Sequence, residues 1–180
     1  MNFSMDNAVP VLRATPGVLR AWLADLPDPW TKANEGADTW SPFDIVGHLI
    51  HGERTDWIPR LELVLAYGTS RAFTPFDRFA QFRESRGETL ADLLDIFAEL
   101  RRANLARLES FRLTPADFER PGLHPELGAV TVGQLLATWV VHDLNHVSQI
   151  ARVMGRQYSD AVGPWLEYLP MLWARSSRVP

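Results

Sequence analysis

The stretch TVGQLLATWVVHDLNHVSQIARVMG, residues 131–155, predicts one long amphipathic helix. Thr131 followed by Gln134 is a capping-box pattern, in which two side chains satisfy free backbone N–H groups at a helix start. Apolar residues then recur at spacings of three and four, which places them on one face of a helix. Gly155 is the residue type that commonly ends a helix. We therefore predict a helix from Thr131 to about Met154.

A second helix start is marked in WSPFDIVGHLIHGE, residues 40–53. Ser41 is a suitable N-cap, and Asp44 completes another capping-box pattern. The apolar periodicity continues to about Tyr67. Because proline removes a backbone hydrogen bond, we predict a kink or break of this helix at Pro59.

Two other segments, residues 11–26 and 90–111, also show helical periodicity. The segments between the four helices are rich in Pro and Gly, and we expect one short helix around 76–82 and a short packed helix in 162–173. No stretch of useful length alternates like a strand, so we expect no sheet. The pattern predicts an all-α four-helix bundle with short extra helices in the loops and at the C-terminus. We expect a single domain over residues 1–180.

Composition limits the classes of function. The 180 residues carry a net charge of −4 without a long basic run, so nucleic-acid binding is not expected. No apolar run approaches the roughly 20 residues that a membrane helix needs, and the N-terminal residues do not resemble a signal peptide. The chain has no Cys, which excludes disulfides, thiolate metal sites and cysteine nucleophiles. We expect a cytoplasmic protein that acts on a small-molecule substrate, without nucleic-acid or membrane partners.

Two of the five histidines, His142 and His146, lie four residues apart in the predicted helix at 131–155. This spacing places both imidazoles on the inward face, about 40° apart around the helix axis. It is a common way for a helix to offer two nitrogens to one metal ion. The alternative is that both are core or groove histidines that hydrogen-bond to neighbouring groups.

A catalytic metal ion usually has three protein ligands and one open position, so a third ligand is needed. His124 lies in a loop between prolines and is expected to be exposed. His51 is rotated about 60° from His48 toward solvent, whereas His48 lies at the edge of the apolar arc of its helix. His48 is therefore the preferred third ligand. A di-iron site is not expected, because the chain lacks the Glu-x-x-His pairs that such bundles use.

Several other residues are candidates for supporting roles. Gly52 either leaves room for a ligand near His48 or permits close helix packing. Glu53 falls near the centre of the apolar arc, where a carboxylate needs a partner. One interpretation is that Glu53 is a general base or otherwise supports the site. The other is that it is a structural partner of an Arg, Tyr or Trp. Gln149 is suited to bind an imidazole N–H, a substrate or a neighbouring helix. Five arginines form either a rim for an anionic substrate or a solvated face: Arg101, Arg102, Arg107, Arg152 and Arg156.

The chain resembles the DinB-like, or DinB/YfiT, superfamily of four-helix bundles. The resemblance lies in WSPFDIVGHLIHGE (40–53), HDLNHVSQI (142–150) and YSDAVGPWLEYL (158–169), which together span most of the chain. It implies an up-down-down-up bundle with His48, His142 and His146 as ligands of one divalent metal ion. Nickel, zinc, iron and manganese are all compatible with such a site. The resemblance also implies a homodimer.

The family resemblance leaves the activity open among three alternatives, and it assigns no catalytic residue beyond the metal ligands. Some relatives are transferases or isomerases that use a low-molecular-weight thiol, and we rank this function first. The thiol would then be a cosubstrate, because the chain has no Cys. The second alternative is a hydrolase in which the metal ion lowers the pKa of a bound water toward about 7 and creates hydroxide. The third is a non-catalytic interaction module that the metal ion stabilises.

Overall fold

The computed structural model describes residues 3–173, most of which are helical. The helices in chain order are α1 (Met5–Leu23), α2 (Asp28–Lys32), α3 (Pro42–Thr55), α4 (Trp57–Tyr67), α5 (Gln81–Glu84), α6 (Leu90–Ser110) and α7 (Val132–Arg156). Short 3-10 turns lie at Gly68–Ser70, Pro115–Glu119, Gly163–Tyr168 and Pro170–Leu172. The long helices α1, α6 and α7 pack with the α3–α4 pair as a four-helix bundle, as predicted. None of the described helices is both long and apolar enough to cross a membrane.

The predicted starts of α3 and α7 are confirmed as capping boxes. The Ser41 hydroxyl accepts the N–H of Asp44 at 3.2 Å, and the Asp44 carboxylate accepts the N–H of Ser41 at 2.9 Å. Thr131 and Gln134 make the same reciprocal pair at 3.2 and 2.9 Å. These local bonds fix where the two helices that carry the histidines begin.

Several helix ends differ from the prediction. The helix α1 spans Met5–Leu23 rather than 11–26, because Ser4 caps it at an earlier start. The break between α3 and α4 lies at Asp56 rather than at Pro59, because a proline ring clashes with the carbonyl group four residues earlier, here that of Thr55. The helix α7 continues through Gly155 to Arg156. A Cβ atom at Gly155 would lie 3.3 Å from the sulfur of Met171, so this glycine permits close packing of the C-terminal segment rather than ending the helix.

The expectation of no sheet is wrong at one place. Strands β1 (Pro121–His124) and β2 (Gly128–Thr131) form an antiparallel hairpin, with Gly128 at a positive φ of 76° at its turn. Four residues per strand are too few to show an alternating pattern in the sequence. The hairpin leads directly into α7 and lies beside the cavity described below.

Two short segments also differ from expectation. The short helix expected around 76–82 begins later, as α5. The preceding residues form a turn, in which the Asp77 carboxylate accepts the N–H of Phe79. The segment 162–173 forms two 3-10 turns rather than one packed helix. Trp165 and Tyr168 in this segment are exposed, so it contributes little to the core.

The apolar core consists of two clusters separated by a polar layer. The first cluster includes Leu19, Ile45, Leu94, Phe97 and Ile150. The second includes Leu12, Trp57, Leu61, Leu108 and Trp139. Between them the long helices contribute buried polar residues: Thr15, Glu53, Arg101, Asp143 and His146. This layer positions the site, because buried polar groups must find partners at that level of the bundle.

Candidate metal centre

Three histidine side chains converge at one point between α3 and α7. The Nε2 atom of His142 lies 3.2 Å from Nε2 of His48 and 3.1 Å from Nε2 of His146. One potential ligand atom from each of the three lies within 4.8 Å of the others. Nitrogens bound at about 2.0–2.1 Å to one ion, at angles of roughly 90–110°, are about 2.9–3.4 Å apart. The spacings of Nε2 of His142 from Nε2 of His48 and from Nε2 of His146 therefore fit ligands of a single small cation.

The hydrogen bonds of the rings favour donation to a cation. The Gln149 side-chain oxygen lies 2.8 Å from Nδ1 of His146, so Nδ1 donates its proton there and Nε2 presents a lone pair to the centre. Nδ1 of His48 and Nδ1 of His142 are buried without a hydrogen-bond partner among the described residues. A proton on Nε2 of His142 could satisfy only one of its two neighbours, whereas a cation interacts with all three nitrogens.

Burial keeps the three imidazoles neutral. The pKa of His48 is lowered to about 3, chiefly by burial and next by the nearby His146. Burial also lowers the pKa of His142 well below its usual value, followed by the effects of the two neighbouring histidines. The pKa of His146 is lowered by burial too, although the bond to Gln149 and the charge of Asp143 oppose this shift. Neutral imidazole is the form that binds metal ions.

Aromatic side chains surround the three rings. Trp40 and Phe76 contact His48 with ring centroids 4.6 and 5.3 Å apart, and Trp57 contacts His142 at 5.1 Å. A Cβ atom at Gly52 would lie 3.4 Å from Nε1 of Trp57. This is an ordinary contact distance, and no side-chain atom of His48 lies within 4 Å of that Cβ position, so Gly52 provides no special space at the centre.

Glu53 belongs to a buried charged cluster rather than to the histidine centre. Arg101 on α6 contacts Glu53 at 2.8 Å and binds both carboxylate oxygens of Asp143 at 2.6 and 2.9 Å. The indole of Trp139 donates to Glu53 at 2.9 Å, and the Asn104 amide donates to the other carboxylate oxygen at 3.0 Å. These bonds occupy the Glu53 carboxylate, so its role here is structural.

The position of Arg101 was not predicted from the sequence. The interpretation of Arg101 as part of a surface rim or solvated face is wrong, because its side chain is only 2% exposed. The available signal was its spacing, since Phe97, Arg101, Asn104 and Leu108 share one face of α6. The cluster connects α3, α6 and α7. It lies next to the three histidines, because Asp143 directly follows His142 in the chain.

The two other histidines lie outside the centre. His51 is buried rather than turned to solvent, and its Nδ1 atom lies 3.1 Å from a carboxylate oxygen of Glu84 on α5. His124 is half-buried in the hairpin, where its Nδ1 atom accepts the N–H groups of Glu126 and Leu127 at 3.1 Å. The expectation that His51 turns toward solvent is therefore wrong, whereas His124 is partly exposed.

A cavity of about 940 Å³ opens beside the three histidines. It also contains an acidic group that the sequence did not indicate: Asp56, which pairs with Arg60 at 2.8 Å. Burial raises the pKa of Asp56 to about 6, although the charge of Arg60 opposes this shift. The lining includes Trp40, Asp56, Trp57, Arg60, Phe73, Phe76, Arg78, His124, Glu126, Leu135, Thr138, Asn145 and Gln149.

Comparison with known proteins identifies the same architecture. A family model described as the DinB superfamily matches residues 12–150. Among solved structures, the chain resembles YfiT from Bacillus subtilis, described as a "probable metal-dependent hydrolase with an unusual four-helix bundle topology". The two share 24% sequence identity with a TM-score of 0.72, over 90% of this chain and 91% of the other. No curated protein matches the chain.

Proposed function

The chain belongs to the DinB superfamily, and from this premise we propose that it binds one divalent metal ion through His48, His142 and His146. We propose further that it uses this ion to act on a small molecule. The observation that carries the proposal is the convergence of three Nε2 atoms at 3.1 and 3.2 Å in neutral, buried rings. Zinc, nickel, iron and manganese are the candidate ions, because neutral imidazole suits several first-row metals.

The first candidate reaction is transfer of a group to or from a low-molecular-weight thiol. A bound divalent ion supplies a Lewis acid that lowers the pKa of a coordinated thiol or water. The chain has no Cys, so the thiol is a cosubstrate. The cavity of about 940 Å³ is at the upper end of the roughly 300–1,000 Å³ range of ligand pockets. This size favours two reactants, or one long one, beside the centre.

The second candidate reaction is hydrolysis. It is favoured by the likeness to YfiT, which is described as a probable metal-dependent hydrolase. It is also favoured by Asp56, whose pKa of about 6 allows the carboxylate in this cavity to accept and return a proton near neutral pH. Glu53 is not the base in this proposal, because Arg101, Trp139 and Asn104 already occupy its carboxylate.

The first experiment is metal analysis of protein purified without an affinity tag or added metal. We expect about one equivalent of a first-row metal ion per chain, or one equivalent taken up on titration. A preparation that contains no such ion and binds none would contradict the proposal.

Cobalt substitution then separates the two reactions. Group transfer to a thiol predicts that cysteine or another small thiol introduces new sulfur-to-cobalt absorption and is consumed with an electrophilic substrate. Hydrolysis predicts no such band but turnover of esters or amides and inhibition by hydroxamates. Metal binding without response to either class of compound would favour the interaction-module alternative.

A further inference from the structure

Two arginines line the cavity beside the three histidines, and they differ in their partners. Arg60 forms an ion pair with Asp56 at 2.8 Å. Arg78 has no carboxylate within ion-pair distance in residues 3–173, although it is only partly exposed. A guanidinium group without a protein partner in a ligand-sized cavity is available to bind an anion.

The carboxylates nearest to Arg78 in the chain are engaged elsewhere. Asp77 binds Arg83 at 2.8 Å and accepts the N–H of Phe79 at 3.1 Å. Glu84 binds Arg54 at 3.2 Å and His51 at 3.1 Å. The local sequence therefore contains enough acidic groups to neutralise Arg78, but the fold pairs each of them with another cation.

The segment that carries Arg78 lies against the histidine centre. Phe76, two residues earlier, contacts the ring of His48 at 5.3 Å and the ring of His51 at 4.9 Å. Arg78 and His48 also line the same cavity. Both observations place the segment of Arg78 at the His48 side of the cavity.

The remaining charged group of the cavity wall lies on the hairpin. Glu126 is exposed and acts electrostatically on His124, and it forms no ion pair with Arg78. The cavity wall also includes the apolar residues Trp57, Phe73 and Leu135. A ligand in this cavity thus meets both a guanidinium group and apolar surface.

We propose that Arg78 binds the oxyanion group, a carboxylate or a phosphate, of a small substrate whose reacting end lies at the three histidines. This inference rests on the proposed metal-dependent function and adds the substrate class, which is an amphipathic anion. Guanidinium matches both oxyanions with two parallel hydrogen bonds, so the geometry of Arg78 is suited to either.

The test uses zinc-loaded full-length protein and a series of alkyl hydroxamates with three to six methylene groups. Each chain ends in a carboxylate, a phosphonate or an uncharged methyl ester, and affinities are measured by isothermal titration calorimetry. A charge-assisted hydrogen bond predicts that one charged probe binds about tenfold or more tightly than its methyl ester. The preferred end group shows which oxyanion the site takes.

Variants assign this difference to Arg78. Arg78→Gln should remove the preference for the charged probe and leave the affinity for the methyl ester within about twofold. Arg78→Lys should keep part of the preference for the charged probe, because lysine keeps the positive charge but cannot form two parallel hydrogen bonds. Arg86→Gln, at an exposed arginine after α5, is the matched control and should keep the full preference. Equal binding of charged and uncharged probes, or an equal loss in both Gln variants, would overturn the proposal.

A metal-free measurement separates failure of this proposal from failure of the metal site. If the methyl ester probes do not bind, the proposed metal function fails, and metal-free protein is titrated with glutarate while the Arg78 Nε–H resonance is followed by NMR. A saturable shift of that resonance, absent for Arg86, would support anion binding by Arg78. No shift would overturn it.

Discussion

The Nε2 atoms of His48 and His142 lie 3.2 Å apart, although the two residues are separated by 94 positions in the chain. Such close approach of two ring nitrogens needs a shared proton or a cation between them. The capping boxes fix where α3 and α7 begin, and the buried Arg101 cluster holds the two helices together beside the histidines. The predictions below test the parts of this arrangement separately.

Replacing Arg101 by Leu should strongly destabilise the protein. The change leaves Glu53 and Asp143 buried without their cation, and removing one partner of a buried ion pair costs about 3–5 kcal/mol. Urea denaturation of the metal-free protein measures the effect. Arg102→Leu is the control, because the Arg102–Glu99 pair is exposed and screened by solvent and should contribute little to stability. Similar losses in both variants would show that the buried cluster has no special role.

Replacing Gln149 by Leu should weaken metal binding more than folding. In the wild type, the Gln149 side-chain oxygen accepts the Nδ1–H of His146 and thereby orients Nε2 toward the centre, and the change removes this acceptor. Loss of such an orienting partner typically lowers metal affinity about 10–100-fold. Competition with a chromophoric chelator measures it. Gln157→Leu at the end of the same helix should leave the affinity unchanged, and an unchanged affinity in Gln149→Leu would refute the orienting role.

The stability of the metal-free protein should decrease as the pH falls below 6.5. His48 has a pKa of about 3 in the folded state, against 6.5 for an unperturbed histidine. The unfolded chain therefore binds more protons between about pH 6.5 and 3, and each such histidine reduces the free energy of unfolding by at most about 1.4 kcal/mol per pH unit. Asp56, with its raised pKa, acts in the opposite direction between about pH 6 and 4.

Comparison with His48→Leu isolates the contribution of that one ring. Urea denaturation between pH 7 and 4 should show that the free energy of unfolding falls less steeply with pH in the variant. The reason is that the variant lacks one group that binds a proton in this pH range only in the unfolded chain. Equal slopes for the wild type and His48→Leu would mean that the ring is not held neutral by burial.

Local features were predictable from the sequence, whereas burial that depends on distant partners was not. The capping boxes at Ser41 and Thr131 use bonds between residues three apart, so the sequence pattern alone indicates them. Burial of His51 depends on Glu84, which lies 33 residues away on a short helix that the sequence predicted poorly. The hairpin was missed because its strands are only four residues long.

In the candidate site too, local features could be predicted from the sequence and features that depend on distant partners could not. The i, i+4 pair on α7 could be recognised from its spacing, and the helical arc favoured His48 as the third member. Arg101 could not be placed, because its burial depends on carboxylates from two other helices. The unpaired guanidinium group of Arg78 could not be predicted from the sequence either, because it depends on Asp77 and Glu84 pairing with other cations in the fold.

The most direct test of the metal centre is the melting temperature of stripped protein with and without Zn²⁺ or Ni²⁺. An ion at a hundredfold excess over its Kd stabilises the folded state by about 2.7 kcal/mol, which corresponds to a rise of roughly 5–10 °C for a chain of this size. The rise should persist at about pH 6, because burial lowers the pKa of all three ligands. His48→Ala, His142→Ala and His146→Ala should each abolish most of it.

His51→Ala and His124→Ala are the decisive controls in the same measurement. Both histidines lie outside the cluster, so the metal-induced rise in these variants should equal that of the wild type. The account predicts loss of the rise in the three ligand variants and retention in the two controls. Loss in His51→Ala with retention in His48→Ala, or no dependence on any of the five, would contradict it.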